Sequence, residues 1–145
     1  MPALGLDIDS AELLLALLNA DTALVTEAAG GIFGPPGLGK NFVISKAVAI
    51  RSDGGASSSY LPMMSERFLV YCYGATAGAA RSVYRAFVNA VHRLYNQRKT
   101  LTGGVVAHVR SVEMEAGPVD LVDAATGWTF VWAACRMLFC EEDMA

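Results

Sequence analysis

Residues Arg67 to Leu94, RFLVYCYGATAGAARSVYRAFVNAVHRL, hold the reading on which the fold turns. The first seven, RFLVYCY, have the aromatic and apolar composition of a strand, and Gly74 breaks the run. Thr76 stands where a helix cap belongs. Beyond it Ala80, Val83, Tyr84, Phe87, Val88, Val91, Leu94 and Tyr95 recur at three-to-four spacing, which predicts a helix with one apolar stripe. Set in the order of the elements on either side, given below, this strand and helix lead to the α+β class.

Upstream of this core, Asn41 to Ser52 (NFVISKAVAIRS) reads as a strand closed by the turn signal Asp53-Gly54-Gly55. Ala56 to Met64, broken by Pro62, joins it to the RFLVYCY strand. Earlier still, Ser10 is placed as an N-cap, and Leu13, Leu14, Leu17, Leu18, Ala20 and Leu24 form one amphipathic helix that Gly30-Gly31 ends. Gly30 to Gly39 is mostly Gly and Pro and reads as a loop.

Downstream, Val105 to Glu115 reads as a strand after Thr102-Gly103-Gly104. Gly117-Pro118 is expected to turn the chain, and Trp128 to Cys140 (WTFVWAACRMLFC) forms the last strand, followed by an acidic end at Glu141, Glu142 and Asp143. The predicted order is helix, strand, strand, helix, strand, strand. Two antiparallel hairpins would form one sheet packed against two helices, in a single domain over 1–145 with mobile loops at about 30–40 and 52–66.

Composition narrows the function classes. The chain has 145 residues, enough to bury a core without disulfides or metals. It is 54% hydrophobic and 17% charged, against roughly 45–50% and about 25% in ordinary soluble domains, so some apolar surface is expected to meet neighbours. A net charge of −3 lacks the basic excess of a nucleic-acid binder. Cys72, Cys135 and Cys140 lie in apolar segments without a CxxC or a histidine cluster and read as reduced core residues. The acidic first twenty residues lack the basic region of a signal peptide, and no apolar run reaches membrane-spanning length, so synthesis in the cytosol is expected.

Gly34 to Asn41 (GPPGLGKN) has the GxxxxGK spacing of a phosphate-binding loop. That loop requires a strand before it, a helix N-terminus after it and a Ser or Thr for magnesium. Here a helix precedes in the predicted order, a Val/Ile-rich run follows and Asn41 replaces the hydroxyl, while Asp120 and Asp123 fall in a predicted turn rather than at the end of an apolar strand. The reading is a loop.

His92 and His108 fall on separate elements with no nucleophile at triad spacing. Glu113 and Glu115 share a predicted strand face and read as solvated. No enzyme, cofactor or metal is expected. Trp128, Phe130 and Trp132 line one side of the last strand, a pattern that is usually core, with part of it open to a neighbouring subunit. Arg81, Arg85 and Arg93 gather positive charge on the long helix, suited to a solvated face or an acidic partner.

Taken together, IFGPP followed by an apolar strand and Asp-Gly-Gly, the stretch from Arg67 to Leu94, and the closing GPVDLVDAATGWTFVWAACRMLF resemble the tail terminator (tail completion) family of long-tailed bacteriophages over Ser10 to Phe139. The resemblance implies a structural virion protein at the head-tail junction. Copies would form a hexameric ring that caps the tail tube, halts its polymerisation and joins the head or neck. The implied partners are other copies, the major tail tube protein and a head-completion or neck protein, with no membrane, and with DNA only passing through the lumen. Tyr60, Met63, Met64, Arg81, Arg85, Arg93, Glu141 and Glu142 are the candidate subunit or partner contacts. A head completion or neck connector protein is the alternative within the same class, and a small nucleotide-binding protein built on Gly34 to Asn41 is the alternative outside it.

Overall fold

The computed structural model describes residues 8–35, 37–38, 42–57 and 63–141. The first helical region is two helices rather than one. α1 (Ser10–Asn19) is capped by Asp9, one residue before the expected Ser10, through bonds from the Ala11 and Glu12 amides to Asp9 Oδ1, both 3.1 Å. α2 (Thr22–Glu27) starts afresh because the Asp21 carboxylate accepts from the Leu24 amide at 3.1 Å. A short acidic side chain in mid-helix competes for backbone donors, and here it caps a second helix.

β1 (Ile32–Phe33) follows inside the stretch expected to be loop and pairs in parallel with β2 (Ala47–Ser57). β2 begins six residues later than the sequence suggested and runs through Asp53-Gly54-Gly55 without turning. Its register against β3 (Met64–Gly74) shifts between Ser52 and Gly55, with Gly54 at φ +89°, so this Gly pair makes a bulge. The predicted 52–66 loop therefore shrinks to the residues between Ser57 and Met64, most of them, 58–62, outside the described residues.

α3 (Ala77–His92) is the expected helix, with Thr76 Oγ1 accepting from the Ala79 amide at 3.1 Å. It buries Ala80, Val83, Phe87, Ala90 and Val91, while Tyr95, assigned to its stripe, lies exposed in β4 (Tyr95–Thr100). Asn96 makes the entry to β4 at φ +50°, a left-handed conformation that Asn tolerates. β5 (Val106–Val122) pairs with β4 and with β6 (Thr129–Glu141). Gly117-Pro118 does not turn β5. It sits in the last of three register shifts of β5 against β6, between Ala116 and Val119, and the chain reverses at Asp123 to Gly127 instead, so Asp120 belongs to a strand.

Among the described residues the result is an α+β layer with three helices and a six-stranded mixed sheet ordered β1-β2-β3-β6-β5-β4. The two expected hairpins, β2-β3 and β5-β6, are its centre, joined by antiparallel β3 and β6. The helices cover one face. There Phe68, Val70 and Cys72 of β3 meet Val131, Ala133 and Cys135 of β6 beneath α3, and Leu13, Leu14, Leu18 and Leu24 close the end over β2, every one fully buried. Gly74 allows α3 to leave β3 at backbone contact, since a Cβ there would strike the backbone of Ala79 and Ala80. Burial pushes the Cys135 thiol up to about 12 and that of Cys72 higher, so both are inert apolar packing; Cys140 lies half-buried on the opposite side of its strand.

Candidate interaction surface

Strand periodicity gives β6 two sides, and the helices cover the one bearing Val131, Ala133, Cys135, Met137 and Phe139. The aromatic side is open. Along the centre of this open face the cross-strand pairs are Arg67 with Arg136, Leu69 with Ala134, Tyr71 with Trp132 and Tyr73 with Phe130. The Trp128, Phe130 and Trp132 surface is thus half-buried and faces away from the core, correcting its reading as chiefly core.

At one end of the open face the rings form a connected cluster. Tyr71 and Tyr73 lie 5.9 and 5.6 Å from Phe130, Tyr73 is 6.3 Å from Trp128, Trp128 is 5.7 Å from Phe42, and Phe42 is 5.8 Å from Phe33. Tilted and edge-on contacts of this kind are the favoured aromatic geometries. Between Tyr71, Tyr73 and Trp128 and the segment carrying Pro35 and Leu38 lies a cavity of about 290 Å³, with Arg51 and Asp123 at its margin. The Asp123 carboxylate accepts from the Ala125 and Thr126 amides at 2.8 and 3.4 Å and so shapes the turn that presents Trp128.

At the other end the open face is ionic. Arg67 pairs with Asp53 at 2.5 Å and Glu115 at 3.4 Å, and Arg136 pairs with Glu115 at 3.0 Å and donates to Ser65 at 2.8 Å. The cluster spans β2, β3, β6 and β5. Glu115, at the register shift between Met114 and Ala116, is thus a shared acceptor for both arginines, while Glu113, the cross-strand partner of Arg136, makes no ion pair with a described residue.

The sheet also has two uncovered edges. β1 pairs with β2 as far as Ala49, and β4 pairs with β5 from Val106 to Ser111. Among the described residues no strand lies on the outer side of β2 after Ala49, away from β3, or on the outer side of β5 after Ser111, away from β6. β4 is polar and carries Arg98 and Lys99, as protected edges do. By contrast, the open length of β5 has no Lys or Arg and exposes Val119, Leu121 and Val122 by 43, 42 and 65%.

The basic stripe is largely neutralised within the chain. Arg81 binds Asp120 through Nε and Nη2 (3.2 and 2.7 Å), and the Arg81 guanidinium holds the Asp120 carboxyl below its usual range. Arg93 binds Asp21 at 2.7 Å. Arg85 makes no hydrogen bond or ion pair with a described residue; nearby, the Glu27 carboxylate is held low by Lys46 at 2.7 Å and then by Ser82. Met64 packs against the core, Met63 is half-buried, and Glu141 ends β6 half-buried. Tyr60 and Glu142 lie outside the described residues, as do Lys40 and Asn41 of the phosphate-loop-like segment. That segment is preceded by β1, not a helix, and among the described residues it leads through 42–46 into β2, without the helix N-terminus a phosphate would need.

No helix among the described residues is long and apolar enough to cross a membrane. No family model matches the chain, and no curated protein does. Among solved structures, a chain from the virion of native gene transfer agent (GTA) particle aligns with a TM-score of 0.57 at 14% identity, over 88% of this chain and 90% of that one. The bacteriophage SPP1 gp17 protein aligns with a TM-score of 0.49 at 13% identity, over 86% and 84%. The virion chain and this one share a fold.

Proposed function

We propose that the protein is a structural component of a phage-type particle, a tail terminator. It assembles as a hexameric ring at the head-proximal end of the tail tube, ends tube polymerisation and joins the tail to the head or neck. The observation that carries this reading is the pair of uncovered strand edges on opposite sides of one sheet. β2 and β5 run antiparallel, being three antiparallel steps apart, so β2 of one copy can extend β5 of the next while every copy keeps the same orientation. Head-to-tail joints of that sort close into rings or grow into filaments. Each joint would satisfy backbone donors and acceptors and cover Val119 and Leu121.

The recurrence of the fold in a chain of a gene transfer agent virion supports the same class of role. On this reading the protein acts by assembly. The tail tube protein and a head-completion or neck protein meet the ring's two ends, and DNA passes through the lumen of an acidic chain that does not grip it. Arg85, free of the pairings that engage Arg81 and Arg93, is the cation of the stripe left to meet Glu141 or Glu142 of a neighbour.

The test is quantitative mass spectrometry of separately purified heads and tails from one lysate, measured against the major tube protein. A few copies per tail and none on heads are expected. Presence on heads alone would replace the terminator with a head-completion role, and absence from both would overturn the reading.

A further inference from the structure

The cavity at the aromatic end of the open face has a composition that selects a ligand. Its rings, Tyr71, Tyr73 and Trp128, offer apolar walls, and at about 290 Å³ it lies at the small end of ligand pockets, suited to one side chain rather than a cofactor. Its two charges are not equivalent. Asp123 is engaged by the amides of its own turn. Arg51 makes no hydrogen bond or ion pair with any described residue, whereas Arg67 and Arg136 on the same face are both ion-paired. Burial, then Tyr71 and Asp123, push the Tyr73 hydroxyl up, so it stays a donor at neutral pH. A cavity of mixed polar and apolar lining, walled by rings and holding a guanidinium that no described residue pairs with, is complementary to an anion attached to an apolar group.

We propose that this cavity docks a segment of a partner protein that presents an aromatic or branched apolar side chain next to a carboxylate. The side chain enters the cavity against the rings of Tyr71, Tyr73 and Trp128, and the carboxylate pairs with Arg51. This rests on the reading of the open face as a protein contact surface, but the binding chemistry can be measured on the isolated chain without any particle.

Three small probes are titrated into the ¹⁵N-labelled protein, 3-phenylpropionate, 3-phenylpropionamide and 2-phenylethylammonium, while the indole N–H of Trp128 is followed by NMR, assigned with Trp132→Phe. The expected result is a saturable shift with 3-phenylpropionate, about tenfold weaker binding of the amide, and loss of that preference in Arg51→Gln, an exposed substitution compatible with the fold. The proposal is overturned if no probe gives a saturable shift, if the ammonium binds tightest, as an aromatic cage for cations would require, or if Arg51→Gln keeps the preference for the anion. Loss of tail localisation in the particle experiment would leave the pocket's chemistry standing, and failure of the titration would leave the ring standing.

Discussion

β3 and β6 contribute alternate residues to two unlike faces of one sheet. Toward the helices stand Phe68, Val70, Val131, Ala133 and Met137, all fully buried. Toward the open side the same strands present Tyr71, Tyr73, Phe130 and Trp132, half-buried and, among the described residues, without a helix over them. The difference locates the unusual apolar content of the chain: the helix side buries Phe68, Phe87 and Phe139 with aliphatic side chains, and Tyr71, Tyr73, Phe130 and Trp132 are left for the other side. A partly exposed aromatic surface is what contact with another protein exploits.

The sharpest way to break this contrast is to compare one buried and one open ring. Phe87→Ala empties the centre of the helix-sheet core and should cost about 3–5 kcal/mol in urea unfolding. Asp21→Ala, at the helix layer's margin, removes the α2 cap and the partner of Arg93 and should cost about 1 kcal/mol. Trp132→Ala, on the open face, should cost under about 1 kcal/mol in the isolated protein. If the Trp132 variant lost as much as the Phe87 variant, the open face would be part of the folding core after all.

Asp21 adds a pH test. Burial would raise its pKa, but the Leu24 amide, Arg93 and the Ala23 amide together hold it below the ordinary 3.8. Its contribution is therefore fully present above about 3.8 and is lost as pH falls through the depressed folded value. Asp21→Asn keeps a capping oxygen without the charge, so between about pH 5 and 2 its urea midpoint should fall less steeply than that of the wild type.

Much of the centre was legible in the sequence. Gly74, Thr76 and the α3 stripe were local signals, and the two hairpins followed from short connections. What escaped was decided by neighbours. Asp53-Gly54-Gly55 and Gly117-Pro118 read as turns because a bulge uses the same residues, and only the partner strand's register tells the two apart. YNQRKT has no apolar alternation, and β4 exists because β5 offers it a ladder. Period two sorted Trp128, Phe130 and Trp132 onto one side but could not say which side the helices would cover. The basic stripe was legible as sequence, yet the engagement of Arg81 with Asp120, 39 positions away, depends on the bulge that carries β5 past Pro118.

The ionic cluster of Asp53, Arg67, Glu115, Arg136 and Ser65 has a consequence for alignment. It takes a residue from each of four adjacent strands, two of them beside bulges. A slip of one residue in any of these strands would swing its member to the helix side and leave charges unmatched. The cluster therefore works as a checksum on strand alignment, read at the middle of the sheet, and it fixes how far β2 and β5 project at their outer margins.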